Sequence, residues 1–318
     1  MIALPVHPVA PIYIGADVSL PTIDLGCPHF KLPPKIANTP AGYALFQKAV
    51  AKSSQPVHVI CEATGPYHKA FVASLHQAGI PVTVVKSSSP RDFARCTGRQ
   101  AKTDPIDALL LADYGAALKP KPTPAPEAHT VRLDDLVTRR AQLVADRACE
   151  RTRLQQVSCV ETIASMKAHL RHLDGQVDKF DALIAGFVKA TPVLGDKVRI
   201  LVTVSGVGAQ TASALLACLP ELGTVSGERI ASLAGLAPFN RDSGAFRGVR
   251  CIRGGRREAR QALFMAALSA MTHNVILSQL YHRLRKAGKH HKVALTALMR
   301  RLLVHLNLLL EKHALNKA

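Results

Sequence analysis

IYIGADVSL, residues 12–20, decides how the N-terminal part of this chain reads. Ile12 to Gly15 is apolar and β-prone, and Asp17 closes the run. The pattern recurs in VHVICEATG, residues 57–65, where Val57 to Cys61 is a short buried strand ending on Glu62. KTDPIDALLLADYG, residues 102–115, then carries Asp104 and Asp107 at the start of a helix. A spacing of three puts both on one helical face. A chain of formal charge +19 that places four acids at strand ends and a helix start calls for an explanation. Hard divalent cations such as Mg²⁺ take oxygen ligands, and two such ions can hold the attacking and leaving oxygens of a phosphodiester. Other readings exist for the individual acids. Asp104 before Pro105 is a good helix N-cap, with Asp107 at N3 favoured by the helix dipole, and Glu62 is a plausible loop acid. Asp24 and Asp92 are spare acids.

Working outward, residues 12–118 alternate strand and helix patterns. Strands are expected at Ile12–Leu20, Thr22–Leu32, Val57–Cys61 and Val82–Lys86. Helices are expected at Ala41–Lys52, Tyr67–Ala78, Pro90–Cys96 and Pro105–Leu118. This predicts an α/β domain on a partly parallel sheet. KPKPTPAPE, residues 119–127, is a semi-rigid proline-rich spacer. From Ala128 to about Ala190 there is no Pro and only two Gly. Apolar residues at helical spacing predict two long helices, a coiled-coil hairpin broken near Asp174–Gly175. A mostly helical unit begins near Thr191. The expected domains are 1–120, 121–190 and 191–318.

The 318 residues are 48% apolar, enough for sizeable cores. Aromatics are 4% and Trp is absent, so base stacking is not the expected mode of any nucleic-acid contact. The pI of about 10.0 points to a polyanionic partner. The charge is uneven: residues 192–318 hold 19 Lys and Arg against six acids, while residues 127–191 hold ten against nine. Seven scattered cysteines without a C-x-x-C predict free thiols in a reducing cytoplasm. The N-terminus lacks a basic n-region, and the longest uncharged run, residues 200–220, is too polar for a membrane span.

Two C-terminal stretches carry further chemistry. In VSGVGAQTASALLACL, residues 204–219, Gly206 and Gly208 resemble a helix–hairpin–helix turn, where glycines let backbone N–H groups approach a phosphate. A tight turn between packed helices is the alternative. LAGLAPFNRDSGAFRGVRCIRGGRREARQALF, residues 233–264, holds Arg241, Arg247, Arg250, Arg253, Arg256, Arg257 and Arg260. Guanidinium forks suit bidentate phosphate contacts. Among them, Ser243 before Gly244 is placed to attack a phosphate, though a Ser-Gly turn is more often structural. His290-His291 reads as a solvated basic patch, because adjacent helical residues do not face one point.

GADVS, CEATGPYH, KTDPIDA, SGVGAQTA, LAGLAPFNRDSG and RGGRREARQALFMAAL occur in this order. Together they resemble the DEDD transposases of bacterial insertion sequences, the one-hundred-ten family, which includes the Piv-type DNA invertases. The AGLAPFNRDSG wording is similar to the eleven-eleven subgroup. The resemblance implies a RuvC-like (RNase H-like) domain with Asp17, Glu62, Asp104 and Asp107 binding Mg²⁺, two ions per site. It implies a C-terminal transposase domain with Ser243 as nucleophile. It also implies donor and target DNA, a non-coding bridge RNA that pairs with both, and dimers or tetramers sharing active sites. The expected location is the bacterial cytoplasm, at the nucleoid, with no membrane contact. The main alternative is a metal-dependent, structure-specific nuclease resembling a Holliday-junction resolvase, with Ser243 structural. A non-enzymatic nucleic-acid-binding protein comes third.

Overall fold

A computed structural model of the chain describes residues 10–63, 65–99, 103–240, 242–244, 248 and 250–316. The chain divides into two compact units, Met1–Ala125 and Pro126–Ala318.

In the first unit, β1 (Ile12–Val18), β2 (Thr22–Gly26), β3 (Lys35–Ala37), β4 (Val57–Glu62) and β5 (Val82–Val85) form one sheet in the order β3-β2-β1-β4-β5. β1 runs antiparallel to β2 and parallel to β4, and β4 is parallel to β5. This mixed five-stranded sheet is consistent with an RNase H-like domain. The expected second strand, Thr22–Leu32, is shorter and is followed by a separate β3. Pro28, Pro33 and Pro34 intervene, and a proline cannot donate to a ladder.

The helices of this unit are α1 (Pro40–Val50), α2 (His68–Gln77), α3 (Ser88–Cys96) and α4 (Asp104–Leu118). One sheet face, with Ile14, Ala16, Val18, Ile23, Val59 and Cys61, buries Phe46, Phe71 and Leu75 of α1 and α2. The other face carries α4, and two glycines make room for it. Gly15 and Gly26 are register partners on β1 and β2. A methyl group on Gly15 would lie 1.8 Å from the Ala108 carbonyl oxygen, and one on Gly26 would lie 2.4 Å from the Leu109 nitrogen. In return, Gly115 of α4 lets Ile60 and Tyr13 approach the helix backbone. The proline-rich spacer lies against the β5 edge. Thr123 N–H donates to the Val82 carbonyl at 2.8 Å, and Val84 N–H donates to Thr123 Oγ1 at 3.0 Å. A chain laid there shields an otherwise open strand edge.

The second unit is helical. It comprises α5 (Ala128–Leu154), α6 (Val160–Ala190), α7 (Pro192–Leu201), α8 (Ala209–Cys218), α9 (Gly227–Leu233), α10 (Arg257–His273), α11 (Val275–Lys286) and α12 (His291–Leu315). Two short strands, β6 (Pro238–Phe239) and β7 (Cys251–Ile252), pair between α9 and α10. The long helical hairpin breaks at residues 155–159, not at Asp174–Gly175, which lie inside α6. A mid-helix glycine costs about 1 kcal/mol. Leu173 and Val177 on either side pack on Leu143, and Asp174 and Asp181 pair with Arg147 and Arg140 of α5, which outweighs that cost. Leu133, Ile184 and Val188, near the hairpin's open end, join the core of α7, α8, α10 and α12.

α12 is long and apolar enough to cross a membrane by length and composition. Its Leu295, Leu298, Leu302, Leu303 and Leu306 are instead fully or almost fully buried in this core. Each such leucine contributes roughly 2 kcal/mol of burial free energy.

Candidate active site

The sheet register assembles the acids. Side chains alternate across a strand, so Asp17 shares the α4 face with Gly15, and Asp24 shares it with Gly26. Asp17 and Asp24 are direct partners across β1 and β2, and Asp24 is the partner of Lys35 on β3. On the other side of β1 the register pairs Ala16 with Cys61, which carries Asp17 alongside Glu62, the next residue of β4. One transverse row therefore reads Lys35, Asp24, Asp17, Glu62. α4 crosses the same face with Ala108 seated on Gly15, so its N-terminal turn, with Asp104 and Asp107, lies at the Asp17 end of the strand.

Electrostatics records the convergence. Asp17 is pushed up to about 6, first by burial and then by the charges of Glu62, Asp107, Asp104 and Asp24. Asp24 is buried and salt-bridged to Lys35 Nζ at 3.2 Å, so its charge is already answered within the protein. The cap of α4 is Thr103, with an extended backbone, and Asp104 is the first helical residue. Capping therefore does not account for Asp104. The helix dipole favours Asp104 and Asp107 but does nothing for Asp17. Among the described residues, no group of three or more Asp, Glu, His or Cys side chains is arranged so that it could hold a metal ion. Glu62, Asp104 and Asp107 are charge-coupled to a partly buried Asp17, and their carboxylate oxygens are the donor type that a divalent cation takes.

The loops around this end are tied together. Asn38 Nδ2 donates to the Ser19 carbonyl at 2.8 Å and to the Tyr67 carbonyl at 3.3 Å, linking the β1–β2 turn to the loop after Glu62. Ala63 N–H donates to the Val85 carbonyl at 2.9 Å. Sequence reasoning left Asp24 as a spare and missed Lys35 and Asn38. A signal existed for Asp24. The turn at Leu20-Pro21 is two residues long, and counting outward from it places Asp24 opposite Asp17.

In the second unit, β6 and β7 pair antiparallel as the base of a hairpin, and Ser243 lies between them in sequence. Ser243 is exposed, and Gly244 after it is left-handed, at φ +54°. Gly248 N–H donates to Asp242 Oδ1 at 3.1 Å across the loop. Arg250, Arg253 and Arg257 are exposed, whereas Arg241 and Arg247 lie outside the described residues. Arg256 and Arg260 point into the protein. Arg256 donates through Nη1 and Nη2 to the two Glu221 oxygens at 2.5 and 2.7 Å, and through Nη1 to the Cys218 carbonyl at 3.1 Å. Arg260 Nη1 donates to the carbonyls of Ala234 and Gly254. Beside it the backbones of Gly235 and Gly255 cross so closely that a methyl on Gly255 would lie 2.0 Å from the Gly235 nitrogen. These contacts fasten the hairpin base to the helical core.

Gly206 is likewise packed. At φ +102° its missing side chain admits Ala270 of α10, and a methyl there would lie 2.6 Å from the Ala270 Cβ. Gly208, at the start of α8, faces open space.

A mixed sheet of this order, with acids gathered at one end, is consistent with the RNase H-like DEDD class of enzymes. Comparison with known proteins gives the family. A DEDD transposase model of the IS110 family matches residues 28–158, and a model described as transposase IS116/IS110/IS902 family matches residues 198–282. The chain belongs to the IS110 family of transposases and is a DNA recombinase. It is 27% identical to the pilin gene-inverting protein of Moraxella bovis over 92% of this chain and 93% of that protein. The pilin gene-inverting protein of Moraxella lacunata matches to the same extent. An uncharacterized 43.6 kDa protein of insertion element IS110 from Streptomyces coelicolor is 32% identical over 43% of this chain and 34% of its own length. The family implies a divalent metal, typically Mg²⁺.

Proposed function

We propose that this recombinase cuts and rejoins DNA through a covalent intermediate on Ser243, with Asp17, Glu62, Asp104 and Asp107 as its metal-binding set. The observation that supports the metal half is the convergence of Glu62, Asp107 and Asp104 on a half-buried Asp17, whose carboxyl is pushed up to about 6 first by burial and then by their charges. When bound, Mg²⁺, as two ions, supplies charge neutralisation at the scissile phosphate. The serine half is supported by an exposed hydroxyl on a hairpin loop, a left-handed glycine beside it and exposed Arg250, Arg253 and Arg257 nearby in sequence.

In this reading Ser243 Oγ forms a bond to phosphorus and gives up its proton. The bond to the leaving deoxyribose oxygen breaks, and that oxygen takes up a proton. The phosphoserine ester conserves the bond energy, so rejoining is the reverse attack by a DNA hydroxyl and needs no ATP. The exposed arginines steady the added negative charge.

Three functional parts are proposed: an acid-bearing domain, 1–120; a linker and helical hairpin, 121–190; and a serine-bearing domain, 191–318. The hairpin, with Val131, Val160 and Leu183 exposed, is the proposed contact in dimers or tetramers. Sequence choice is assigned to an element-encoded bridge RNA, on the strength of the family resemblance of the sequence blocks alone.

A nuclease resembling a Holliday-junction resolvase needs only the acids, so the two readings separate experimentally. Labelled DNA incubated with protein and Mg²⁺ is run on denaturing electrophoresis, and any adduct is peptide-mapped. The serine reading expects an adduct on Ser243 that disappears in Ser243→Ala while DNA binding is kept. Cleavage without an adduct, or an adduct on another residue, gives the nuclease reading its place.

A further inference from the structure

The turn between α11 and α12 gathers positive charge that the serine hairpin does not account for. Between Glu258 and Glu311 the sequence has no acidic residue and eight Lys and Arg. Arg283, Arg285, Lys286, Lys289 and Lys292 are all exposed around this one turn. The turn is built, not loose. Gly288 is left-handed at φ +77°, Arg285 Nη1 donates to the Lys289 carbonyl at 2.7 Å, and Tyr281 Oη lies 2.7 Å from His291 Nδ1. The last turn of α11 and the first of α12 are thus cross-tied.

Helix electrostatics explains only three of these five charges. Cations in the last turn of α11 complement its negative end, which accounts for Arg283, Arg285 and Lys286. Lys289 and Lys292 flank the N-terminus of α12, the positive end of a 25-residue helix, where cations are disfavoured. Charge placed against the dipole, with no acid in that stretch of sequence, fits a polyanion held at this point.

The fold also sets where the turn lies. The other half of α12 is fixed beside the base of the serine hairpin. Asn307 accepts from Gly223 N–H and donates to the Val225 carbonyl, both at 2.8 Å, and Glu221 of the same loop grips Arg256. His291 precedes Asn307 by 16 residues of continuous helix, which is about 24 Å. That length corresponds to about seven base pairs of duplex.

We propose that the α11–α12 turn is a second backbone site for DNA, gripping phosphates of the duplex about seven base pairs from the serine hairpin. Arg283, Lys286, Lys289 and Lys292 are the contacts, and Arg285 and the Tyr281–His291 pair hold the turn. DNA is the partner because it is the substrate of the family. The site rests on that and not on the chemistry of Ser243.

The test is the salt dependence of binding to a mixed-sequence DNA duplex of about 40 base pairs, with an RNA duplex of equal length in parallel. The triple variant Arg283→Gln/Lys286→Gln/Lys289→Gln should lower the log–log slope on DNA by about three. The charge-keeping Arg283→Lys/Lys286→Arg/Lys289→Arg should hold the wild-type slope. Should the triple glutamine variant lose its fold by circular dichroism, Lys289→Gln alone should lower the slope by about one. Ser243→Ala should leave it unchanged whether or not the serine mechanism is right. A slope shifted by less than about half a unit in the glutamine variant, or a loss confined to RNA, overturns the proposal.

Discussion

Asp17 is the residue on which fold and function pull in opposite directions. Its folded-state value of about 6 stands above the ordinary 3.8, because burial and four neighbouring carboxylates oppose its ionisation. The sign follows. Below about pH 4 the group is protonated whether folded or unfolded and costs nothing; as pH rises through 6, the folded state must carry a charge that it resists. Asp17→Asn should therefore raise the melting temperature in EDTA at pH 8, with the gain shrinking towards pH 4. Mg²⁺ should stabilise the wild type by mass action and leave the variant nearly unmoved. Thermal melts across pH, with and without Mg²⁺, check both. A variant less stable than wild type at pH 8 would remove the charge-crowding account. The acid itself is legible in the sequence as the end of an apolar run. The neighbours that raise it come from β2, β4 and α4, so their effect is visible only once those elements pack.

At the scale of elements, the β6–β7 hairpin is held by the Arg256–Glu221 pair. Burial raises the Glu221 carboxyl, and the hydrogen bonds and charge of Arg256 outweigh that, leaving it below its ordinary value. The pair's contribution to stability is full above pH 4.5 and is lost as pH falls through the lower folded value. In a double-mutant cycle, Arg256→Ala and Glu221→Ala should couple by roughly 1–2 kcal/mol in urea unfolding. Glu221→Ala should leave the salt dependence of DNA binding unchanged. If Arg256 were a phosphate contact, freeing it from Glu221 would steepen that dependence by about one. The sequence shows seven arginines in one run and cannot sort those facing solvent from those serving as struts, because Glu221 lies 35 residues away. Element type was easier to read than element ends. Prolines split the expected second strand, and α6 runs through Gly175 because packing on α5 overrides a weak local preference.

At the scale of the whole molecule, the acids and Ser243 belong to different compact units, Met1–Ala125 and Pro126–Ala318. The proposed sharing of sites between subunits has a direct consequence. Chains carrying Ser243→Ala and chains carrying Asp17→Ala, each inactive alone, should recover part of the cutting activity when mixed, measured on labelled DNA. Activity should depend on protein concentration, with oligomers visible by light scattering. No recovery on mixing, with both variants folded and binding DNA, would place each complete site within one subunit.

By itself the sequence determined the alternation of strands and helices in the first 118 residues, the acids at their ends, the excess of positive charge in the last third and the order of the family blocks. These are local or compositional properties, and the physics that reads them, side-chain periodicity and net charge, acts over a few residues or over none in particular. Tertiary structure alone decided that Gly15 and Gly26 form one seat for α4 and that Asp24 is neutralised by Lys35. It alone decided that Gly206 packs on Ala270, and that Gly235 and Gly255 cross beneath the serine hairpin. Each of these joins residues distant in the chain. Such a pairing is selected by close packing and by satisfying buried charge, which become defined only when the elements meet.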